Sequence, residues 1–238
     1  MTRPFRFKQF EVHHDRCAMK VGTDGILLGA WACTGKPKSI LDIGAGCGLI
    51  AMMLAQRFES AKITAVEICP DAAQQARHNF RECPWPHRLQ LIEGDARSLP
   101  FSGPFDLVVA NPPYFSDSLL PAQVSRAAAR HTGSLTFADV VSATARSRGQ
   151  QGQLAVIIPT QRVEEFCQEA EHAGLQLTRR CEVQPSPHKP PVRSLLEFQR
   201  VTNAACRLPV TEMLLLESSR HNYSDKYRQL TEDFYLKH

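Results

Sequence analysis

The residues best suited to chemistry on a bound group are Asn111-Pro112-Pro113-Tyr114. They follow the apolar run Asp106-Leu107-Val108-Val109-Ala110, which reads as a buried strand. Proline cannot continue a sheet ladder, and a residue that precedes proline is pushed out of the helical region. The strand therefore stops abruptly and presents a carboxamide, two stiff carbonyl-bearing residues and an aromatic ring. Such a set can accept the hydrogens of a planar amino group and stack on the ring that carries it. In open α/β sheets, the carboxyl ends of the strands are where ligands bind.

Three carboxylates fall at comparable places. Asp42 ends the strand Lys38–Ile43 and opens Asp42-Ile43-Gly44-Ala45-Gly46-Cys47-Gly48, ahead of a helix from Leu49 to about Phe58. A glycine loop between strand and helix lets a ligand approach the backbone beside a helix N-terminus. A dinucleotide fingerprint would need glycine three residues past Gly46, where Leu49 stands. The register disfavours an oxidoreductase and suits a nucleoside ligand without pyrophosphate, with Asp42 placed near a cation. Glu67, before Ile68, ends the strand Ala61–Ile68 and can take both hydroxyls of a ribose. Asp95, before Ala96, ends Leu89–Ile92 and can accept from an exocyclic amine of adenine. One such acid is an ordinary turn residue; three on successive strands beside a glycine loop make a site.

The elements that must hold these residues alternate strand and helix, the pattern of a largely parallel sheet. Helices are expected over Pro70–Arg81, Phe137–Arg148 and Gln161–Ala173, with Gly174 as the last one's C-cap. Leu154–Ile158 is a fifth strand after a turn at 149–153, and Leu175–Val183 pairs antiparallel with Ser194–Gln199. Val210–Leu216 is a candidate additional strand, and Tyr223–Leu236 reads as a final helix. At the start, Phe5–Val12 alternates apolar and polar and pairs with Ala18–Val21 as a hairpin, its phenylalanines packed on the core rather than on nucleic acid. Thr23 or Asp24 caps a helix Ile26–Cys33. No linker interrupts the chain, so residues 1–238 form one domain: hairpin and helix over 1–34, catalytic core with C-terminal helix over 35–238.

Composition sets bounds. With 43% hydrophobic residues, 238 residues can bury one core. The formal charge of +4 permits an anionic partner. The eight cysteines contain no CxxC pair and no zinc spacing with histidine, so reduced thiols and no metal are expected. There is no run of membrane-span length and no signal-peptide pattern. The expected location is the cytoplasm, with no membrane partner and no obligatory protein partner.

Asp42-x-Gly44-x-Gly46-x-Gly48, Glu67, Asp95 and Asn111-Pro112-Pro113-Tyr114 together resemble a class I S-adenosylmethionine-dependent methyltransferase. The tetrad is similar to that of enzymes that methylate planar nitrogen. Ala18-Met19-Lys20-Val21-Gly22-Thr23-Asp24-Gly25, the loop Lys189-Pro190-Pro191-x-Arg193 and the tail Tyr223–Leu236 further resemble the bacterial valine-tRNA adenine-37 N6-methyltransferases. The resemblance implies an α/β Rossmann-like fold: a mostly parallel seven-stranded sheet, helices on both faces and an N-terminal hairpin extension. It implies S-adenosyl-L-methionine as methyl donor and tRNA as substrate. The cofactor would be held by Lys20, Thr23, Asp42, Gly44, Gly46, Gly48, Glu67, Ile68, Asp95, Ala96 and Asn111; Lys20 and Thr23 would reach its carboxylate. Asn111, Pro112, Pro113 and Tyr114 would be catalytic, with no general base. Arg126, Arg130, Lys189 and Arg193 are the candidates for RNA phosphates, in loops that also carry His131 and His188. Two alternatives remain open: an N5-glutamine methyltransferase acting on a protein, which shares the tetrad, and a catalytically idle RNA-binding module. A DNA adenine methyltransferase would need a target-reading domain for which 238 residues leave no room.

Overall fold

The structure is a computed structural model that describes residues 3–101, 103–113, 135–200 and 208–236. Tyr114, Arg126, Arg130 and His131 lie outside these residues. Among the described residues the main sheet has eight strands. In chain order they are β3 (Ser39–Ile43), β4 (Lys62–Glu67), β5 (Leu89–Glu93), β6 (Phe105–Ala110), β7 (Arg148–Pro159), β8 (Leu175–Gln184), β9 (Arg193–Arg200) and β10 (Val210–Leu215). Their spatial order is β10-β8-β9-β7-β6-β3-β4-β5. All pairs are parallel except those made by β9, which runs antiparallel to β7 and β8.

The sheet is buried on both faces because successive strand residues point to opposite sides. Ile40, Leu107 and Val109 face one core, with α1 (Thr23–Trp31), α2 (Leu49–Arg57) and α3 (Pro70–Glu82) laid over it. Leu41, Ile43, Val108 and Ala110 face the other, under α4 (Phe137–Ser147) and α5 (Val163–His172). That double burial is what the continuous apolar strand runs encode.

The count of eight corrects the expected seven. Strand β10 adds to the outer edge of β8, from Val210↔Arg179 to Leu215↔Gln184. Its side chains are mostly exposed and only Leu214 is buried, so it lacks the apolar signature of the central strands. The N-terminal hairpin also differs. Its arms are β1 (Phe5–Arg6) and β2 (Glu11–Val12), both within the segment read as a single strand, and Ala18–Val21 is not a strand. The chain reverses at Phe7–Phe10, where the Phe7 N–H donates to the Phe10 carbonyl over 2.9 Å. Phe7 and Phe10 are buried, as the core-packing reading requires. Helix α1 begins one turn early, with Gly22 as N-cap, which leaves Thr23 exposed in its first turn. Residues 149–153 continue β7 past a register shift opposite Phe105/Leu107 and are not a turn.

The final helix, α6 (Asp225–Thr231), is shorter than expected. It follows a small hairpin of β11 (Glu217–Ser219) and β12 (Asn222–Tyr223). Ser224 caps α6 by accepting from the Tyr227 N–H. The chain then folds back so that Tyr235 bridges antiparallel to Phe7. The Lys8 N–H donates to the Phe234 carbonyl over 2.8 Å, and the Lys8 ammonium to the Glu232 carbonyl over 2.6 Å. Lys8, in the hairpin, is thus engaged within the protein.

Candidate functional site

The carboxyl ends of β3, β4, β5 and β6 meet at one place. Ile43 is in register with Ala110, so Gly44 and Asn111 leave adjacent strands side by side. Pro112 is buried and Asn111 half-buried. Tyr114 falls outside the described residues, so three members of the tetrad can be placed.

The glycine loop is built by its backbone. Gly44 and Ala45 N–H groups donate to the Val66 carbonyl at 2.9 and 3.0 Å, which drapes the loop over the end of β4. Gly44, Gly46 and Gly48 have φ of 75°, 56° and 83°, a region costly for other residues. A Cβ on Gly46 would meet no atom within 4 Å, so this part of the loop faces an open cradle. Gly48 is the N-cap of α2 and has no side-chain oxygen to cap it; the Leu49 N–H is directed at the Cys47 thiol and the Ala51 N–H at Asp42. A Cβ on Gly48 would lie 2.4 Å from the Phe80 ring of α3. Gly48→Ala is therefore expected to destabilise the fold by about 2–4 kcal/mol, through left-handed strain and overpacking. In a chain of this size that lowers Tm by roughly 5–15 °C, readable by thermal denaturation.

Glu67 is 8% exposed, and each of its carboxylate oxygens accepts a backbone N–H: Oε2 from Gly46 at 2.7 Å, Oε1 from Cys69 at 2.9 Å. It stitches the glycine loop to the start of α3 and keeps lone pairs on both oxygens for ribose hydroxyls. Asp95 also has a partner within the chain. Its oxygens accept from Arg97 Nε, at 2.9 Å each, and from the Arg97 backbone N–H. The Arg97 hydrogen bond holds its carboxyl below the usual range. The Asp95 carboxylate is paired with Arg97, and Asp95 lines a cleft with Gly44, Val66, Ile68, Gly94, Ala96 and Leu135. Ile68 is 44% exposed and offers this cleft an apolar wall, the kind of surface on which a planar base packs.

Asp42 lies beneath the loop, in register with Ala65 and Val109. It is fully buried; the Ala51 N–H of α2 is directed at its carboxyl, but neither oxygen has a partner at full hydrogen-bond geometry. Burial, with the negative Glu67 nearby, pushes its pKa up to about 7. An unpaired buried carboxylate is costly unless a cation comes to it.

Lys20 and Thr23 are exposed near the start of α1, where a Cβ on Gly25 would touch Leu49 at 3.0 Å. They therefore lie close to the N-terminus of α2 and the loop. The basic loop 185–192 follows β8, which runs parallel to β7, so it emerges at the ligand end as expected. Lys189 is exposed. Arg193 is half-buried, and its Nε donates to Asp24 Oδ2 at 2.8 Å, which ties this loop to the first turn of α1. That pairing was not read from the sequence. Arg126 and Arg130 lie outside the described residues.

Two further residues escaped the sequence reading. Leu135 borders the cleft and approaches the position a Cβ on Gly44 would take, at 3.6 Å. Asn79, 1% exposed, donates through Nδ2 to the carbonyls of His13 and Cys47, both at 2.8 Å, and accepts from the His13 N–H. It fixes both the glycine loop and the segment after the hairpin. Its signal was available: with Ala72, Ala76 and Phe80 it occupies the buried stripe of α3, where an amide must be satisfied. Among the described residues no cluster of three or more His, Cys, Asp or Glu could hold a metal ion, and no helix is long and apolar enough to cross a membrane.

Residues 40–133 match a family described as a methyltransferase domain. The chain is 44% identical over 232 residues, 98% of its own length and 97% of the relative's, to the tRNA1(Val) (adenine(37)-N6)-methyltransferase of Phocaeicola vulgatus. It is 42% identical over 233 residues, 98% of each chain, to the protein of the same name in Pseudoalteromonas translucida. Among solved structures, a predicted O-methyltransferase from Agrobacterium tumefaciens superposes with a TM-score of 0.65 at 25% identity, covering 89% of this chain and 96% of that one.

Proposed function

The chain belongs to the tRNA1(Val) (adenine(37)-N6)-methyltransferase family, and we propose that its site methylates N6 of an anticodon-loop adenine in valine tRNA with the residues at the ends of β3, β4 and β6. S-adenosylmethionine, when bound, supplies a methyl group already activated by its sulfonium sulfur. The chain's residues fit such a donor. The cradle at Gly46 is open, the Glu67 oxygens retain lone pairs for a ribose, and Ile68 walls an apolar slot. Asp42 supplies the buried negative charge that a donor carrying sulfonium and ammonium groups calls for.

The chain's task at the acceptor is to make a poor nucleophile better. An adenine N6 lone pair is delocalised into the ring. The Asn111 side-chain oxygen and the Pro112 carbonyl each accept one N6 hydrogen, which favours a pyramidal nitrogen and stabilises the positive charge that develops on it. The prolines stiffen this pair of acceptors before substrate arrives. Tyr114 stacks on the base, a contact worth about 1–3 kcal/mol. The base must leave its stack to arrive there, which costs least in a loop. No side chain is assigned as general base; the extra proton on the product passes to solvent. Exposed Lys189 is the candidate phosphate contact of loop 185–192, and Arg193 positions that loop through Asp24. We place the enzyme in the cytoplasm with its tRNA.

The observation that carries this reading is the Ile43–Ala110 register, which sets Asn111 and Pro112 beside the glycine loop. The test is incubation with labelled S-adenosylmethionine and total tRNA, followed by nuclease digestion. The expected product is N6-methyladenosine at one position of valine tRNA. Label in protein glutamine, with none in RNA, would replace this reading by the amide methyltransferase; label in neither would leave an idle binding module.

A further inference from the structure

A second concave surface lies outside the site described above, and the reaction does not use it. It is a cleft of about 370 Å³ between α3 and the segment that follows the hairpin. Arg16 and His13 line one side, His78 and Arg81 the other, with Asp15 as the single carboxylate among its lining residues.

The lining residues are set in place by amide side chains of α3. The Arg16 N–H donates to Gln75 Oε1 at 3.2 Å, and its guanidinium to the Gln74 side chain. His13 is held in both directions by Asn79, and its ring packs edge-on against His78 at 4.9 Å between centroids. Arg77, on the same helix, is neutralised by Glu93 and stands apart from the lining. The cleft adjoins the reaction site: the Asn79 amide that holds His13 also holds the Cys47 carbonyl of the glycine loop.

We propose that this cleft, through Arg16 and Arg81 with the two imidazoles, anchors backbone phosphates of the tRNA substrate outside the methylated nucleotide. The inference rests on the tRNA-methylating function proposed above and extends it to a second RNA contact. Planar guanidiniums match phosphate oxygens in forked pairs, and phosphate contacts fix the register of a bound nucleic acid without reading its sequence. A chain whose net charge is only +4 needs such local concentration of cations to hold a polyanion.

The test is the variant Arg16→Ala/Arg81→Ala, assayed for methylation of valine tRNA across a series of salt concentrations, with S-adenosylmethionine affinity measured in parallel. Expected is a KM for tRNA raised about tenfold, kcat and donor affinity unchanged, and a salt dependence of apparent affinity shallower by about one power per lost phosphate contact. Arg81→Gln alone, on the exposed end of α3, keeps the test readable if the double variant loses donor binding and with it the fold; about a threefold rise in KM is expected. Wild-type KM and salt slope in a variant that still binds donor would overturn the proposal while leaving the tRNA reading intact. Inorganic phosphate, titrated calorimetrically, separates a free anion from an RNA backbone. Phosphate binding lost in the variant, with tRNA KM unmoved, would make the cleft a small-anion site and also overturn the proposal. A wild-type protein that methylates no tRNA would remove the function beneath it.

Discussion

Asn111→Ala is expected to lower kcat for tRNA methylation by about 10²–10³-fold, the loss seen when one preorganised group is removed from a charge-stabilising pair. Asn111 leaves β6 beside Gly44, and its amide oxygen is one of two acceptors assigned to the N6 hydrogens. Alanine leaves the Pro112 carbonyl in place, so one N6 hydrogen loses its acceptor and the nitrogen lone pair relaxes toward the ring plane. The interaction strengthens as positive charge develops, so the loss belongs in kcat rather than in KM. Single-turnover methylation at saturating donor is the measurement, with donor affinity determined separately because Asn111 also borders the cofactor cradle. A rate within tenfold of wild type would remove Asn111 from catalysis. A donor Kd that moves while the rate at saturation does not would make it a cofactor ligand only.

Asp42→Asn is expected to pull stability and function apart. In the free protein the buried carboxylate has its pKa pushed up to about 7, from an ordinary value of 3.8, with burial as the first cause. Between those values the folded chain holds a proton that the unfolded chain releases. This carboxyl's contribution to stability is therefore fully present below its ordinary value and is lost as pH rises through about 7. Asparagine keeps the shape without the charge. At pH 8 the ligand-free variant should be more stable than wild type, by on the order of 2–4 kcal/mol; near pH 4 the two should converge. Donor binding should weaken tenfold or more, because the counter-charge for a cationic ligand is gone. Thermal denaturation at pH 4, 6 and 8, with and without S-adenosylmethionine, reads both effects. A variant less stable than wild type at pH 8 would show that Asp42 is satisfied in the fold.

The parts of this site that rest on local chemistry were legible in the sequence. The glycine register, the acids at the ends of β3, β4 and β5, and the strand broken by Pro112 all depend on neighbours in the chain, and the strands follow from apolar runs. What was not legible is which side chains pair, whether near or far along the chain. At Asp95, nothing in type or position announced that Arg97 would fold back over it. The Arg193–Asp24 pair was hidden because its members lie 169 residues apart. Strand β10 earned little weight because an edge strand with one buried side chain has almost no periodicity to detect. Asn79 is intermediate: its place on the buried stripe of α3 was readable, but the two carbonyls it serves were not.

The Phe7–Tyr235 bridge has a mechanical consequence. Antiparallel pairing sends the segments before Phe7 and after Tyr235 out from the bridge on the same side. Tension along these segments therefore loads the β1–β2 pairs of Phe5 and Arg6 before Phe7–Tyr235, with the Lys8–Phe234 hydrogen bond behind it. The load is spent on this clasp, and the eight-stranded sheet lies outside its path. An extension fused to either end, or a partner tugging on one, would act as on a zipper whose far end is the catalytic core.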